Sequence, residues 1–506
     1  MPALFPSADN SACYIVDDIF ISTVSNHSDI ITPSDCNEAI ASTRFINGAK
    51  IDGLYTSLAT VVDYKGRRFL CQSSVPGIFT TSATNMIMWG SLDDGRSIYN
   101  DEKVRPVAEK LGEYFFWSKS SVYPQKVETP LPEESPAGFI PEAAASSQCH
   151  TDVNEAVEFL GPVEGRIVRG TDNRLYAADF LHTSPVDVYW KEEHAKLCNE
   201  EAHFSLRRNA VLQWILRREI QQTSIEEVKK YLEENKEITA EEREKMEKDL
   251  AKEEEDIKTK CSTFDPNAFT KYSKSGIASE EDVRKLGSLI RETILPGLYN
   301  TMKQNVSVYY DSTNLARDLH GQGVNLRYLG KLAESCDDDA KELRELIEEE
   351  MIARSSKHIL RDILDDEVLM SAPGFITTAF LNAIVCNEKK KEILLTGKSK
   401  KSKKVPSLIS QVIIKKGYTV EKIWALLEED IKKHFHYDLV CWKNLHMTVE
   451  QRYRLMRRVC QQSGIYLDSI HYDFNDDYTV RVENVLEFIP RVKYAFTPTL
   501  DEDVRF

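Results

Sequence analysis

The residues best suited to bind a polyanion form a run of lysines late in the chain. Eight lysines stand against one acidic residue there, giving a net charge of +7 in a chain whose net charge is −16. They are Lys389, Lys390, Lys391, Lys398, Lys400, Lys401, Lys403 and Lys404. The run also contains serine and glycine, which is typical of a loop. Lysines on a loop of this kind contact phosphates as point charges and do not distinguish one base from another. The run predicts RNA contact; the alternatives are a solvated loop and a nuclear-localisation signal.

A second basic group lies on a predicted helix that follows the capping box of Thr448. Arg454, Arg457 and Arg458 share one face of this helix. Arginine guanidinium groups can bind phosphate or carboxylate through two hydrogen bonds at once. The three arginines are therefore candidate nucleic-acid contacts, and the alternative is pairing with the acidic surface of the same chain.

A third candidate is the short segment that contains Asn325, Arg327 and Tyr328. A tyrosine beside an arginine can stack on a base and hold it. The same residue types also form buried clamps that join neighbouring helices. The sequence leaves both roles open.

Two predicted hairpins carry aspartates and arginines that could serve an enzyme. The first contains Asp63 and Arg67, and the second contains Asp172, Arg174 and Asp179. Carboxylates that converged in space could support a phosphotransferase-like site. The chain has no P-loop, no kinase-type glycine loop and no GxSxG motif. We expect no catalytic residues and no cofactor.

Histidines and cysteines give no strong metal signature. His194 and Cys198 are spaced for one helix face and His203 follows, but zinc sites need three or four ligands and no second pair lies nearby. His434 and His436 point to different faces of a helix. The sequence predicts no metal site.

The composition limits the class of protein. The chain has 506 residues, of which 42% are hydrophobic, and this excludes wholesale disorder and favours about three domains. Its ten cysteines form no CxxC pair, which indicates a reduced, cytoplasmic protein. No apolar run reaches the roughly 18 residues of a membrane helix, and no secretory signal is visible.

The hydrophobic pattern predicts an α+β fold: a hairpin-rich N-terminal region, a mostly helical region and a helical C-terminal unit. Strands are predicted over 55–63 and 68–72, and again over 165–169 and 174–180. Residues 224–258 carry a net charge of −6 and predict a solvated helical hairpin, with capping boxes at Ser224 and Thr239. The predicted divisions are 1–123, a Pro-rich linker or insertion at 124–150, 151–223, a charged insertion at 224–262, 263–395, a basic loop at 396–406, and 407–506.

Six segments, taken in order, resemble the clustered mitochondria (CLU) family. The strongest reads GVNLRYLGK over 323–331, close to the family's GINVRYLGK. The others lie within 53–78, 89–93, 170–185, 350–361 and 460–474. Asn173, Leu175 and His182 depart from the family pattern. The family-motif residues are Asp63, Arg67, Asp172, Arg174, Asp179, Asn325, Arg327, Tyr328 and Arg354.

The resemblance implies a cytoplasmic, non-enzymatic protein that supports the intracellular distribution of mitochondria. It further implies three partners: messenger RNAs for mitochondrial proteins, the ribosome or translation initiation factor three, and, indirectly, the mitochondrial outer surface. Family members usually carry a ubiquitin-like domain before this region and tetratricopeptide repeats after it. We expect this chain to be a core piece between them, a shortened paralogue or a truncated gene model. The alternative is a protein-binding scaffold with no RNA role, which would use the acidic helices for docking.

Overall fold

The structure is a computed structural model of the chain. It describes residues 5–6, 12–24, 33–65, 67–78, 86–92, 95–126, 149–194, 204–235, 239–385, 411–412, 415–442, 447–467 and 485–494. An α+β N-terminal part is followed by a mostly helical part, as the hydrophobic pattern predicts.

The first sheet has six antiparallel strands in the order β1-β2-β3-β6-β5-β16. Its strands are β1 Phe5–Pro6, β2 Ala12–Val16, β3 Ile19–Val24, β5 Ala59–Tyr64, β6 Arg67–Ser73 and β16 Arg491–Tyr494. One face of this sheet packs on helix α1, Pro33–Ala49, through a small core that includes Cys36, Val61 and Leu70. The last strand, β16, pairs with β5. The C-terminal segment therefore belongs to the same sheet as the N-terminal strands.

The second sheet has the order β10-β8-β7-β12-β13-β4. Its strands are β4 Leu54–Thr56, β7 Ile87–Leu92, β8 Ser97–Asn100, β10 Cys149–His150, β12 Arg166–Arg169 and β13 Leu175–Ala178. Within this sheet, β4 and β13 are the parallel pair. Two further pairs are β9 Lys119–Val122 with β11 Val157–Leu160, and β14 Ile465–Leu467 with β15 Val485–Phe488.

The remaining elements of the described ranges are helical. They are α2 Arg105–Phe115, α3 Val188–Glu193, α4 Arg208–Glu234, α5 Ala240–Lys258, α6 Ala278–Leu289, α7 Leu295–Gln304, α8 Ser312–Gly321, α9 Leu329–Glu334, α10 Lys341–Leu364, α11 Glu367–Met370, α12 Pro373–Ile384, α13 Val420–Phe435 and α14 Val449–Ser463. A π-helical turn, Ile290–Ile294, joins α6 to α7, and short 3-10 turns lie at Val306–Tyr310, Leu326–Tyr328 and Asp338–Ala340. Helix α10 is the centre of this part, because α9, α13 and α14 all pack against it. None of the helices in the described ranges is both long and apolar enough to cross a membrane.

The hairpin predictions are confirmed, with one correction. Strands β5 and β6 pair across the first turn, and β12 and β13 pair across the second. The single strand predicted over 55–63 is instead two strands, β4 and β5, which lie in different sheets. Residue spacing alone could not show this, because the same alternation fits either one strand or two.

The capping residues predicted at helix ends also match the structure where the two residues involved are close in sequence. Thr239 and Thr448 form capping boxes with Glu242 and Gln451. Gly464 ends α14 with a left-handed backbone (φ 67°), which glycine adopts without strain. Ser224 does not cap a helix, because α4 continues through it to Glu234.

Candidate functional site

The lysine run lies outside the described residues. Its candidate contacts, Lys389–Lys391 and the five lysines of 398–404, remain predictions from sequence.

The arginines of α14 have different exposures. Arg458 is buried, and its Nη1 lies 3.1 Å from Oε2 of Glu350 while its Nη2 donates to the carbonyl of Tyr309. Arg454 donates from Nε to Oε2 of Glu349 at 3.1 Å. The guanidinium of Arg458 is therefore not accessible to an RNA phosphate. Arg454 and Arg458 both pair with glutamates of the same chain. The partners are buried glutamates of α10 rather than the surface acids that the sequence suggested.

Arg457 is the exposed member of this group. It lines a groove of about 390 Å³ together with Tyr453, Met456 and Leu467. An exposed guanidinium beside an exposed tyrosine can still contact a phosphate or a base.

Three consecutive glutamates explain how α10 holds the C-terminal helices. Glu348, Glu349 and Glu350 are all fully buried. Glu348 accepts hydrogen bonds from the hydroxyl of Tyr437 at 2.7 Å and from two backbone N–H groups at 440 and 441. Burial raises the pKa of Glu349, and the charges of Arg458 and Arg454 oppose that rise. Arg454 and Arg458 thus serve the core of the helical part, whereas Arg457 does not.

Asn325, Arg327 and Tyr328 form a clamp in which Tyr328 is buried and the other two are partly buried. The hydroxyl of Tyr328 donates to Oδ1 of Asp187 at 2.9 Å, and Arg327 donates to Oδ2 of Asp187 at 3.1 Å. Asn325 donates to the carbonyl of Ser205. Tyr328 is only 2% exposed, so its ring cannot stack on a base. Of the two roles left open by the sequence, the structure places these residues in the structural one.

Asp63 joins the first sheet to α10. Arg68 donates to both carboxylate oxygens of Asp63, at 2.7 and 2.8 Å, and Lys357 of α10 donates to Oδ2 at 2.5 Å. Burial by itself raises the pKa of Asp63, but Arg68 and Lys357 outweigh burial and hold the pKa well below its usual range. Arg67 lies near Asp365, and Arg354 donates to Glu350 at 2.7 Å. These motif residues connect elements, and Asp63 and Arg67 also line a small cavity of about 20 Å³ beside Lys357.

The carboxylates of the two hairpins have separate partners. Asp63 is bound by Arg68 and Lys357, Asp172 accepts from Tyr176, and Asp179 accepts from Arg166 at 2.7 Å. Asp172 and Asp179 lie beyond opposite ends of β13, and Asp63 lies in the other sheet. These three residues do not form the shared carboxylate set that a phosphotransferase-like site requires.

An exposed aromatic surface forms where the first and third family-like segments meet. The parallel pairing of β4 with β13 sets Tyr55 opposite Tyr176. Their ring centroids are 5.9 Å apart, and the Arg174 guanidinium carbon lies 5.2 Å from the Tyr55 ring. Tyr55 is 45% exposed, and the Arg174 side chain is 59% exposed. We call Tyr55, Tyr176 and Arg174 the tyrosine–arginine platform.

The turn that carries Arg174 fixes the platform. The hydroxyl of Tyr176 donates to Oδ2 of Asp172 at 2.8 Å, and the N–H of Arg174 donates to Oδ1. Burial and the Asp172 carboxylate raise the pKa of Tyr176, so its hydroxyl stays protonated and continues to donate. Asn173 has a left-handed backbone (φ 66°), which explains why asparagine can stand where the family commonly has glycine.

A second turn, which contains Pro76 and Gly77, packs against the turn that carries Arg174. The N–H of Thr171 donates to the carbonyl of Pro76 at 3.0 Å. A Cβ at Gly77 would lie 2.3 Å from the side chain of Thr171, so only glycine allows this approach. The two family-like segments therefore build one surface, although more than ninety residues separate them.

Sequence reasoning named Arg174 and Asp172 but missed Tyr55 and Tyr176 as site residues. Both tyrosines lie inside the family-like segments, and that position was the signal that could have identified them. The contact between their rings depends on the β4–β13 pairing, and no local pattern reports that pairing.

The residues considered for a metal are only partly described. Cys198 and His203 lie outside the described residues. The ring of His194 stacks on that of His436 with 3.4 Å between centroids, and Trp190 packs against both. Burial and the neighbouring His194 lower the pKa of His436 to about 4. A neutral stacked pair of this kind is a packing feature.

Comparison with known proteins finds matches to two family models. A family model described as Clustered mitochondria matches residues 2–190, and one described as Translation initiation factor eIF3 subunit 135 matches residues 306–474. Clustered mitochondria proteins of Dictyostelium discoideum and Arabidopsis thaliana are 25% and 22% identical over 91% and 92% of this chain. The homologue of Xenopus tropicalis is 24% identical over 89%.

The chain is similar to clustered mitochondria proteins along most of its length. It covers 34% to 39% of the length of these three relatives. No solved structure matches the chain.

The two family matches fall on the two parts of the fold. The clustered mitochondria match contains both hairpins and the whole tyrosine–arginine platform. The subunit 135 match contains α10, α13 and α14 and therefore the buried glutamate–arginine pairs. Residues 191–305, which include the charged helices α4 and α5, lie between the two matches.

Proposed function

We propose that this chain is an RNA-binding, translation-associated member of the clustered mitochondria family that supports the distribution of mitochondria. Its messenger RNA and ribosomal partners would meet it in the cytoplasm, and it would act by binding rather than by catalysis. The tyrosine–arginine platform is the observation that carries the proposal. The names of the relatives support the mitochondrial half, and the subunit 135 match supports the link to translation.

The platform has the chemistry of a single-stranded RNA contact. Unpaired bases stack on exposed aromatic rings and on guanidinium planes, and each stacked base contributes about 1–3 kcal/mol to binding. Tyr55 and Arg174 are both exposed and lie within stacking distance of each other. The Lys389–Lys404 run would add phosphate contacts that depend on salt but not on sequence.

The test is fluorescence anisotropy with a labelled single-stranded RNA and the purified chain. Tyr55→Ala should weaken binding roughly 5- to 150-fold, as the loss of one stacked base predicts. Tyr55→Phe keeps the ring and should bind RNA as the unmodified chain does. Leu58→Ala is a matched control, because Leu58 is 62% exposed and lies two residues after β4.

Two results would contradict RNA binding at this surface. One is an unchanged affinity in Tyr55→Ala while crosslinking in cells still recovers RNA from the chain. The other is that no RNA crosslinks to the chain in cells, which would remove the RNA half of the proposal.

A scaffold without RNA is the second candidate, and one observation favours it. Leu216, Ile220 and Tyr231 lie along one face of α4 and are 50%, 60% and 49% exposed. Exposed apolar side chains on a charged helix are suited to a partner protein. A ribosomal association that survives nuclease but is lost in Ile220→Lys, while Leu58→Lys leaves it intact, would favour the scaffold over the RNA-binding protein.

A further inference from the structure

Three side chains with metal-binding atoms meet between α10 and α13. His358 comes from α10, and Asp430 and His434 come from α13, one helical turn apart. Nδ1 of His358 lies 3.0 Å from Oδ2 of Asp430, and Nδ1 of His434 lies 3.1 Å from Oδ1 of Asp430. The three ligand atoms all lie within 4.8 Å of one another.

These distances suit a divalent ion. Zinc binds imidazole nitrogen and carboxylate oxygen at about 2.0–2.2 Å, so ligand atoms of a tetrahedral site lie roughly 3.3–3.5 Å apart. The observed separations of 3.0 and 3.1 Å need only a small outward movement of the rings. Two imidazoles and one carboxylate favour zinc over magnesium or calcium, which prefer oxygen ligands.

The position of the group allows an ion to enter. The side chains of His358 and His434 are 27% and 41% exposed, whereas Asp430 is largely covered at 15%. A fourth position therefore faces solvent, where water could complete the coordination. Arg361 interacts electrostatically with both His358 and Asp430 and opposes a cation. The affinity is expected to be lower than that of a four-ligand structural zinc site.

We propose that His358, Asp430 and His434 form a zinc-binding site that ties α13 to α10. The helices already pack against each other, so a bound ion would crosslink two elements of the region matched by the subunit 135 family. The site is independent of the tyrosine–arginine platform and of RNA binding. The ion has a structural role here, because it would bind the folded chain and not the unfolded one.

The experiment is a calorimetric titration of Zn²⁺ into the full chain after chelator treatment and dialysis. One equivalent should bind with an affinity that is at least about tenfold weaker in His358→Gln and in Asp430→Asn, because removing a ligand should cost at least as much as removing a residue that orients one. Zn²⁺ should also raise the melting temperature of the unmodified chain. His150→Gln is the matched control, since His150 contacts Asn100 in the second sheet and lies away from these helices.

His434→Gln keeps the test decisive if the more buried variants fold poorly. His434 is the most exposed of the three, so its replacement should leave the circular dichroism spectrum unchanged while it weakens zinc binding. Co²⁺ is a second probe, whose visible absorption should have the intensity of a four-coordinate ion and should disappear in the same variants. Absence of Zn²⁺ binding, or binding of equal affinity in His434→Gln and His150→Gln, would overturn the proposal.

Discussion

Arg458 of α14 and Glu350 of α10 form an ion pair at 3.1 Å in which both side chains are almost completely excluded from solvent. Glu350 also accepts from Arg354 and from Gln462, and Arg458 also donates to the backbone of the 3-10 turn before α8. One pair thus connects three elements within the region matched by the subunit 135 family.

Removal of one member of this pair should destabilise the chain strongly. Arg458→Ala leaves Glu350 buried with its charge only partly compensated, and such changes cost about 3–5 kcal/mol. Urea denaturation followed by circular dichroism measures the loss. Arg457→Ala is the control, because Arg457 is the preceding residue and is exposed. Its effect should stay within about 0.5 kcal/mol. Equal losses in the two variants would contradict the buried pair.

The Asp63 carboxylate should make stability depend on acid pH. Its pKa lies well below the unfolded value of about 3.9, so the ion pair with Arg68 contributes fully above that value. The contribution is lost as the pH falls below about 4 toward the folded pKa. Asp63→Asn should therefore lower the urea midpoint at pH 7 and flatten its decline between about pH 5 and pH 2. A decline as steep as that of the unmodified chain would assign the acid sensitivity to other groups.

Gly330 in the GVNLRYLGK segment should not tolerate a methyl group. A Cβ there would lie 2.1 Å from the carbonyl oxygen of Phe435, which is backbone and cannot swing away. Gly330→Ala should cost about 1–3 kcal/mol, the usual range for overpacking, and its effect should lie at the upper end. Gly297→Ala in α7 is the control. Nothing lies within 4 Å of its Cβ position, so a gain of about 0.4–1 kcal/mol is expected in thermal unfolding. Stabilisation by both substitutions would contradict the close approach of α9 to the end of α13.

The lysine run and the platform should affect RNA binding in different ways. Replacing the eight lysines of Lys389–Lys404 by alanine should make the plot of the logarithm of the binding constant against the logarithm of salt concentration less steep. Its slope should decrease by about 0.7 for each RNA phosphate that the lysines no longer neutralise. Tyr55→Ala should weaken binding and leave that slope unchanged, because stacking releases no counterions. Titrations at several salt concentrations separate the two effects. An unchanged slope in the lysine variant would exclude the run from the interface.

Interactions between residues close in sequence could be predicted. The capping boxes at Thr239 and Thr448, the left-handed Gly464 and the two hairpin turns all join partners within about ten residues. Each follows from the hydrogen bonds and backbone angles of a few neighbouring residues. The buried face of α13 was also predictable, because a helical period reports which residues turn inward.

Partners far apart in sequence could not be predicted. Hydrophobic period shows that a face is buried but not which element covers it, so the pairing of β16 with β5 and of Tyr55 with Tyr176 left no local trace. The same limit applies to Glu350 with Arg458 and to His358 with Asp430, which meet only because α10 packs on two later helices.

The sequence by itself determined the resemblance to clustered mitochondria proteins, the α+β order of elements and the positions of turns and caps, since these depend on residue type and short spacing. Only the tertiary structure decided which basic residues stay exposed. Arg457 and Arg458 are adjacent and chemically identical, yet the packing of α14 on α10 buries one against Glu350 and leaves the other facing solvent. Exposure, unlike residue type, is a property of the neighbours that the fold supplies.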